Sequence, residues 1–198
     1  MNTDLDPIPA SPSEADPARR PPRRIDLRFM REHPAHWVAL GFGSGLSPWA
    51  PGTVGTLWGW LVFLALDPLV GRWLGPLGWG LLLIVGLGVG WWACTVTARH
   101  AGIDDPGAIV WDEVLAIWLV LWIALPDDRS GHGLLQWVAF GLFRYFDAAK
   151  PGPVRWADQH FKGGGWRGGF GILFDDLVAA GCTLLAIALF LALWGAGK

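Results

Sequence analysis

The chain has 198 residues, of which 53% are hydrophobic and only 16% charged, with 15 Trp and a formal net charge of −2. That length suits one compact domain with a tail, and a charge content well below the roughly 25% of ordinary soluble domains points to a membrane protein. The near-neutral charge excludes a broad nucleic-acid surface, and Cys94 and Cys182, both in apolar stretches without CxxC spacing, exclude a disulfide framework.

Residues 1–36 are rich in Pro, Asp, Glu and Arg, hold no apolar run, and read as a disordered cytoplasmic tail. Their arginines lead into His33-Pro34-Ala35-His36-Trp37 and not into an apolar h-region, so they do not form a secretory signal. The membrane domain is placed at 37–198, with apolar segments at 37–42, 56–70, 77–96, 108–125, 134–146 and 177–194. The stretches 77–96, 108–125 and 177–194 are predicted spans, because about 20 helical residues cross the hydrocarbon. Asp67-Pro68 interrupts 56–70, and 134–146 is short, so each of these fits a thin, tilted or interfacial helix. No apolar run alternates with period two, and Leu, Ala and Trp dominate. The predicted fold is therefore all-α, a small integral-membrane helical bundle.

If the five longer segments all cross and the N-terminus is inside, the outer connections hold only Arg72, Arg129 and Lys198. The inner ones hold the tail arginines, Arg99, Arg144, Lys150, Arg155, Lys162 and Arg167. This asymmetry obeys the positive-inside rule and gathers 41–55, 104–113 and 144–176 on the cytoplasmic face.

Those three segments carry the chemistry. Asp112-Glu113 and Asp175-Asp176 each open an apolar helix, and adjacent helical residues diverge by about 100°, so neither pair satisfies itself. Taken singly, each pair also fits acids placed at a helix N-terminus. Together with Asp147 on the same face they make a hard-oxygen set suited to Mg²⁺, and the metal reading outweighs capping. His100 and His160 lack ligand spacing and read as surface or packing residues. The loop from Gly41 to Thr56, with Ser47 and Thr53, fits either a phosphate cradle before a helix or a structural turn. It contains neither GxGxxG nor GxxxxGKS/T, which excludes a nucleotide site. The run from Lys162 to Gly171 reads as a flexible basic connection, and Gly86 and Gly90 as a helix-packing pair.

The stretches Phe42–Pro48 and Ala50–Gly55, Asp105-Pro106 with Ile109–Glu113, Phe143–Asp147 with Lys150-Pro151, and Gly171–Leu177, in this order, resemble the phosphatidylglycerophosphatase A family. Together they cover most of the chain beyond the tail. The resemblance implies an Mg²⁺-dependent membrane phosphatase acting on phosphatidylglycerophosphate among the lipids of a bacterial inner membrane. Carried over by motif, Asp112, Glu113, Asp175 and Asp176 become metal or catalytic carboxylates, with Asp105 and Asp147 supporting them. Thr53, Arg144 and Lys150 become phosphate contacts, with Ser47 beside them. Departures from the family pattern are Ala116, Gly152 and a lengthened glycine-rich connection.

No Cys-x5-Arg loop or Asp-x-Asp-x-Thr motif offers a covalent nucleophile, so hydrolysis by metal-activated water is expected, with Glu113 as the base. The rival reading is a small membrane ion-binding or transport protein without hydrolase activity, but such proteins place acids near mid-membrane and show repeats, and this chain has no repeat. A phosphotransferase using CDP-activated alcohols is disfavoured because its Asp-Gly and Ala-Arg signature is missing.

Overall fold

The computed structural model describes residues 22–75, 77–125 and 133–196, except for the side chains of 194–196. The tail expected over 1–36 lies partly outside these residues, and its boundary moves. Helix α1 (Leu27–Arg31) begins at Asp26, whose Oδ1 accepts from the amides of Arg28 and Phe29 and so satisfies donors the helix leaves open. Helix α2 (Pro34–Ala39) starts with Pro at its first position and His33 Nδ1 accepting from the Ala35 amide. Phe29, Met30, Leu40 and Ala101 form a small core of their own, which holds this N-terminal pair against the rest. Composition hid it, because two short helices bury only a few side chains among many arginines and prolines.

A tight 3-10 turn (Gly41–Leu46) follows, with Phe42 and Gly43 at positive φ. Helix α3 (Pro51–Leu74) then runs unbroken through Pro68, where 56–70 was expected to be interrupted. The Pro68 ring faces outward, and the preceding Asp67 Oδ1 accepts from Trp79 Nε1, so the irregularity is tied to the next helix. Helix α4 (Gly78–Ala101) closes on Gly102 at φ +70, whose amide bonds back into the last turn. Helix α5 (Trp111–Ala124) has only 14 residues, or about 21 Å. The span expected over 108–125 is therefore corrected: among the described residues the helices long and apolar enough to cross are α3, α4 and α8 (Gly165–Ala196). Between α5 and α8 lie α6 (Gly133–Ala149) and α7 (Pro153–His160), the latter unforeseen.

The molecule is an all-α membrane bundle, with no strand among the described residues. Helix α5 is its centre. Val114, Leu115, Ala116, Ile117, Val120 and Leu121 are all buried, and α5 packs on α3, α4, α6 and α8. Beyond Asp112 and Glu113 its sequence, read as a span, is apolar because protein surrounds it. Gly86 and Gly90 seat Leu115 and Trp111 of α5, as expected of a packing pair. Indole donors lock helices together: Trp60 donates to Gln136, Trp79 to Asp67, Trp111 to the Gly86 carbonyl and Trp118 to the Gly59 carbonyl, at 2.8–3.0 Å, and Trp91 to the Trp166 carbonyl at 2.6 Å. Each bond satisfies a donor that hydrocarbon would leave bare.

Candidate active site

The start of α3, the start of α5, the end of α6 and the first half of α8 meet at one end of the bundle. There a cavity of about 140 Å³ is lined by Asp105, Asp112, Glu113, Asp147, Asp175 and Asp176, with Lys150 the cation among its described lining residues. The carboxylates expected at the site are thus brought together.

Local structure fixes each one. Asp112 and Glu113 occupy the first turn of α5, where Asp112 Oδ1 accepts from the Glu113 amide. Asp175 and Asp176 are the eleventh and twelfth residues of α8, and not at its start as predicted, because 165–171 is helical where a flexible connection was expected. Glycines there serve close approach: a Cβ on Gly169 would sit 2.0 Å from Thr95 Oγ1 on α4. This placement removes the capping explanation for Asp175 and Asp176, since the macrodipole acts only within the first turn. Both are buried.

Two cations hold part of this charge. Arg144 of α6 bonds Asp147 one turn on, Glu113 Oε1 at 3.3 Å and Thr56 Oγ1 at 3.4 Å. Lys150, in the left-handed region at φ +43, reaches Asp175 at 2.6 Å and Asp158 of α7 at 2.7 Å. Burial alone would lower the Lys150 ammonium, but these two carboxylates outweigh it and raise its pKa above the ordinary range. Burial pushes the Asp105 carboxyl up, against the pull of Lys150. For Asp158 burial also opposes ionisation, yet hydrogen bonds from Lys150 and Lys162 prevail and hold it below its ordinary 3.8.

After these pairings, Glu113 Oε2 and Asp176 Oδ2 remain buried with no hydrogen-bond partner. Leaving such atoms bare is costly unless something positive completes them. Among the described residues no three His, Cys, Asp or Glu side chains form a ready-made metal cage. Mg²⁺ does not need one, since it keeps several waters and uses one or two carboxylates together with substrate phosphate. The donor set fits that ion: Glu113 Oε2 and Asp176 Oδ2 are uncompensated and Asp112 lines the same cavity, while Asp175 and Asp147 are engaged by Lys150 and Arg144.

The hydroxyls expected to bind phosphate lie elsewhere. Ser47 closes its own turn, donating to the Trp49 carbonyl, and lines a different cavity. Thr53 is exposed on α3. The glycine-rich turn packs on 108–110, where a Cβ on Gly45 would sit 2.0 Å from the Ala108 carbonyl oxygen, so this glycine serves close approach. The buried hydroxyl at the site is Thr56, one helical turn beyond Gly52, whose missing Cβ leaves room for the Glu113 carboxylate. Thr56 and Asp158 were not singled out from sequence, although the four-residue step from Gly52 to Thr56 marks one helix face. His100 bonds His36, and His160 stacks on Trp156, as packing residues do.

Residues 37–191 match the family model for phosphatidylglycerophosphatase A. The chain is 38% identical over 168 residues to a phosphatidylglycerophosphatase A of Escherichia coli (strain K12), covering 80% of this chain and 86% of that protein. It is 38% identical over 150 residues to the protein of the same name from Haemophilus influenzae, covering 75% and 83%. A Bacteroides thetaiotaomicron relative, 35% identical over 153 residues (76% and 89%), is provisionally named a phosphatidylinositol-3-phosphatase. No solved structure matches the chain.

Proposed function

Since the chain belongs to the phosphatidylglycerophosphatase A family and is a lipid phosphatase, we propose that it hydrolyses the terminal phosphomonoester of phosphatidylglycerophosphate to phosphatidylglycerol and inorganic phosphate. The observation that carries this reading is the cavity at one end of the bundle, where buried carboxylate oxygens without partners stand beside Arg144 and Lys150. The substrate class is that of the relatives' names, and a membrane bundle presents such a cavity to a lipid headgroup.

Asp112 and Asp176 would hold Mg²⁺, with Asp175 and Asp147 behind them, which leaves Glu113 Oε2 free to act as a base. The ion would neutralise phosphoryl charge and make a bound water more acidic. The protein's own groups do the rest. Arg144 and Lys150 meet phosphate oxygens, with Thr56 steadying Arg144, and Glu113 Oε2 takes the proton of the attacking water. The new P–O bond forms as the bond to the glycerol oxygen breaks, and that oxygen leaves with a proton from solvent. Asp105 and Asp158 position Lys150. The basic residues near this end in sequence, Lys150, Arg155 and Lys162 among them, support a cytoplasmic face of a bacterial inner membrane for it.

The test is phosphate release by purified protein from defined lipid phosphates, including phosphatidylglycerophosphate and phosphatidylinositol 3-phosphate, with Mg²⁺ or excess EDTA. Release from the first, lost on chelation and restored by Mg²⁺, is expected. Full activity in EDTA refutes the metal assignment. Preference for the inositol lipid refutes the substrate, and inertness toward every lipid favours the ion-binding reading.

A further inference from the structure

A second groove, of about 610 Å³, lies between α1 and the glycine-rich turn, with Arg24, Leu27, Arg28, Leu46 and Val54 among its lining. It shares no described lining residue with the carboxylate cavity. Its charge is unevenly spent. Arg23 outside it is bound to Glu32, whereas Arg24 and Arg28 are exposed and form no ion pair with any described residue. Asp26 also lines the groove and offsets part of that charge, but its Oδ1 already accepts from two amides of α1. The protons of Ser44 and Ser47 are given to backbone carbonyls, so anion recognition falls to the two guanidinium groups.

The depth of the groove follows from its walls. Val54 belongs to the first turn of α3, a helix long and apolar enough to cross the membrane. Around the groove Leu27, Phe42 and Trp49 are 57%, 56% and 83% exposed. A bare indole at the mouth of a span is at home at headgroup level, so these side chains set the groove at the lipid–water boundary. Free guanidinium groups above apolar walls at that depth match an amphiphile bearing a phosphate.

We propose that this groove binds the headgroup of an anionic phospholipid of the surrounding membrane, as a lipid site separate from the catalytic cavity. The occupant is set by charge complementarity and by continuity with the lipid-facing side of α3, and it does not depend on which lipid is hydrolysed. Each arginine near an anionic surface is worth about five-fold in lipid association at moderate salt.

The test uses the full chain carrying Cys182→Ala and a nitrobenzoxadiazole label at Leu27→Cys, in phosphatidylcholine nanodiscs doped with headgroup-proximal doxyl phosphatidylserine or doxyl phosphatidylcholine. Quenching by the serine lipid should exceed that by the choline lipid several-fold at low salt. The excess should vanish at high salt and in Arg24→Ala/Arg28→Ala. It should largely persist in Arg24→Lys/Arg28→Lys, and phosphate release should be unchanged by either pair, which also reports folding. A label at Leu69→Cys should show no such excess. Equal quenching by both lipids, or a preference that survives the alanine pair, overturns the proposal and leaves the groove without a lipid headgroup of its own.

Discussion

Gly52→Ala separates catalytic geometry from stability. Gly52 is the second residue of α3, and a Cβ there would lie 2.1 Å from Glu113 Oε1 and 3.2 Å from an Arg144 guanidinium nitrogen. Ordinary contact needs well over 3 Å, so the carboxylate must retreat by about 1 Å. The clash falls on the far end of a flexible side chain, so the fold absorbs it. Alanine in place of helical glycine by itself favours folding by about 0.5–1 kcal/mol. The two readouts therefore diverge. Thermal unfolding in detergent should stay level or rise, while kcat falls about a hundred-fold, the penalty a 1 Å misplacement can carry. KM should rise less than kcat falls, since Lys150 is untouched although Arg144 lies 3.2 Å from the new Cβ. Turnover within about three-fold of wild type, with Glu113 shown to have moved, would refute the assignment of the water's proton to Glu113.

Other outcomes follow from the same geometry. Asp176→Asn should fold, since it removes one of several like charges, yet lose more than the roughly 10–100-fold that even outer-shell partners of a metal cost, read as phosphate release across a Mg²⁺ titration; near-normal rates would remove Asp176 from the ion. Asp112→Asn should behave alike, and a variant as active as wild type would restore the capping reading that Asn satisfies as well as Asp. Thr56→Val should lower turnover several-fold by freeing Arg144, whereas Thr53→Val should leave it unchanged; the reverse order would reinstate Thr53 as the contact. The Asp158 carboxyl is held below its ordinary value, so its stabilisation of α7 is present above about pH 4 and lost as pH falls through the depressed value. Limited proteolysis near α7 should therefore change little between pH 5 and 7, and increase in acid with wild type but not with Asp158→Asn.

The sequence carries the helical, membrane-embedded character of the chain openly, because runs of Leu, Ala and Trp have no other way to bury their backbone in lipid. The acids were equally plain, since Asp112, Glu113, Asp175 and Asp176 interrupt apolar runs where charge is expensive. Depth and partners were not. Asp175 and Asp176 seemed to open a helix only because Gly163 to Gly171 looked like a linker, and nothing in a glycine's identity tells flexibility from close approach to Thr95. Helix α5 passed for a span because burial in protein and burial in lipid select the same residues. Thr53 came from the resemblance of the loop motif, which does not tell it from Thr56, three residues on. The choice depends on which helix face meets Arg144, and that is decided by packing.

The indole N–H bonds between helices have a mechanical consequence. Each joins points 12 to 76 residues apart in the chain, and sliding one helix past another would break such a bond, at Trp60 and Trp118 in the buried interior. Shear is thereby suppressed, and the bundle moves in the bilayer as one stiff plug. A change in membrane thickness is then taken up by tilt of the whole body or by deformation of the surrounding lipid. The distances among the carboxylates at its end are insulated from the state of the membrane in which their lipid is found.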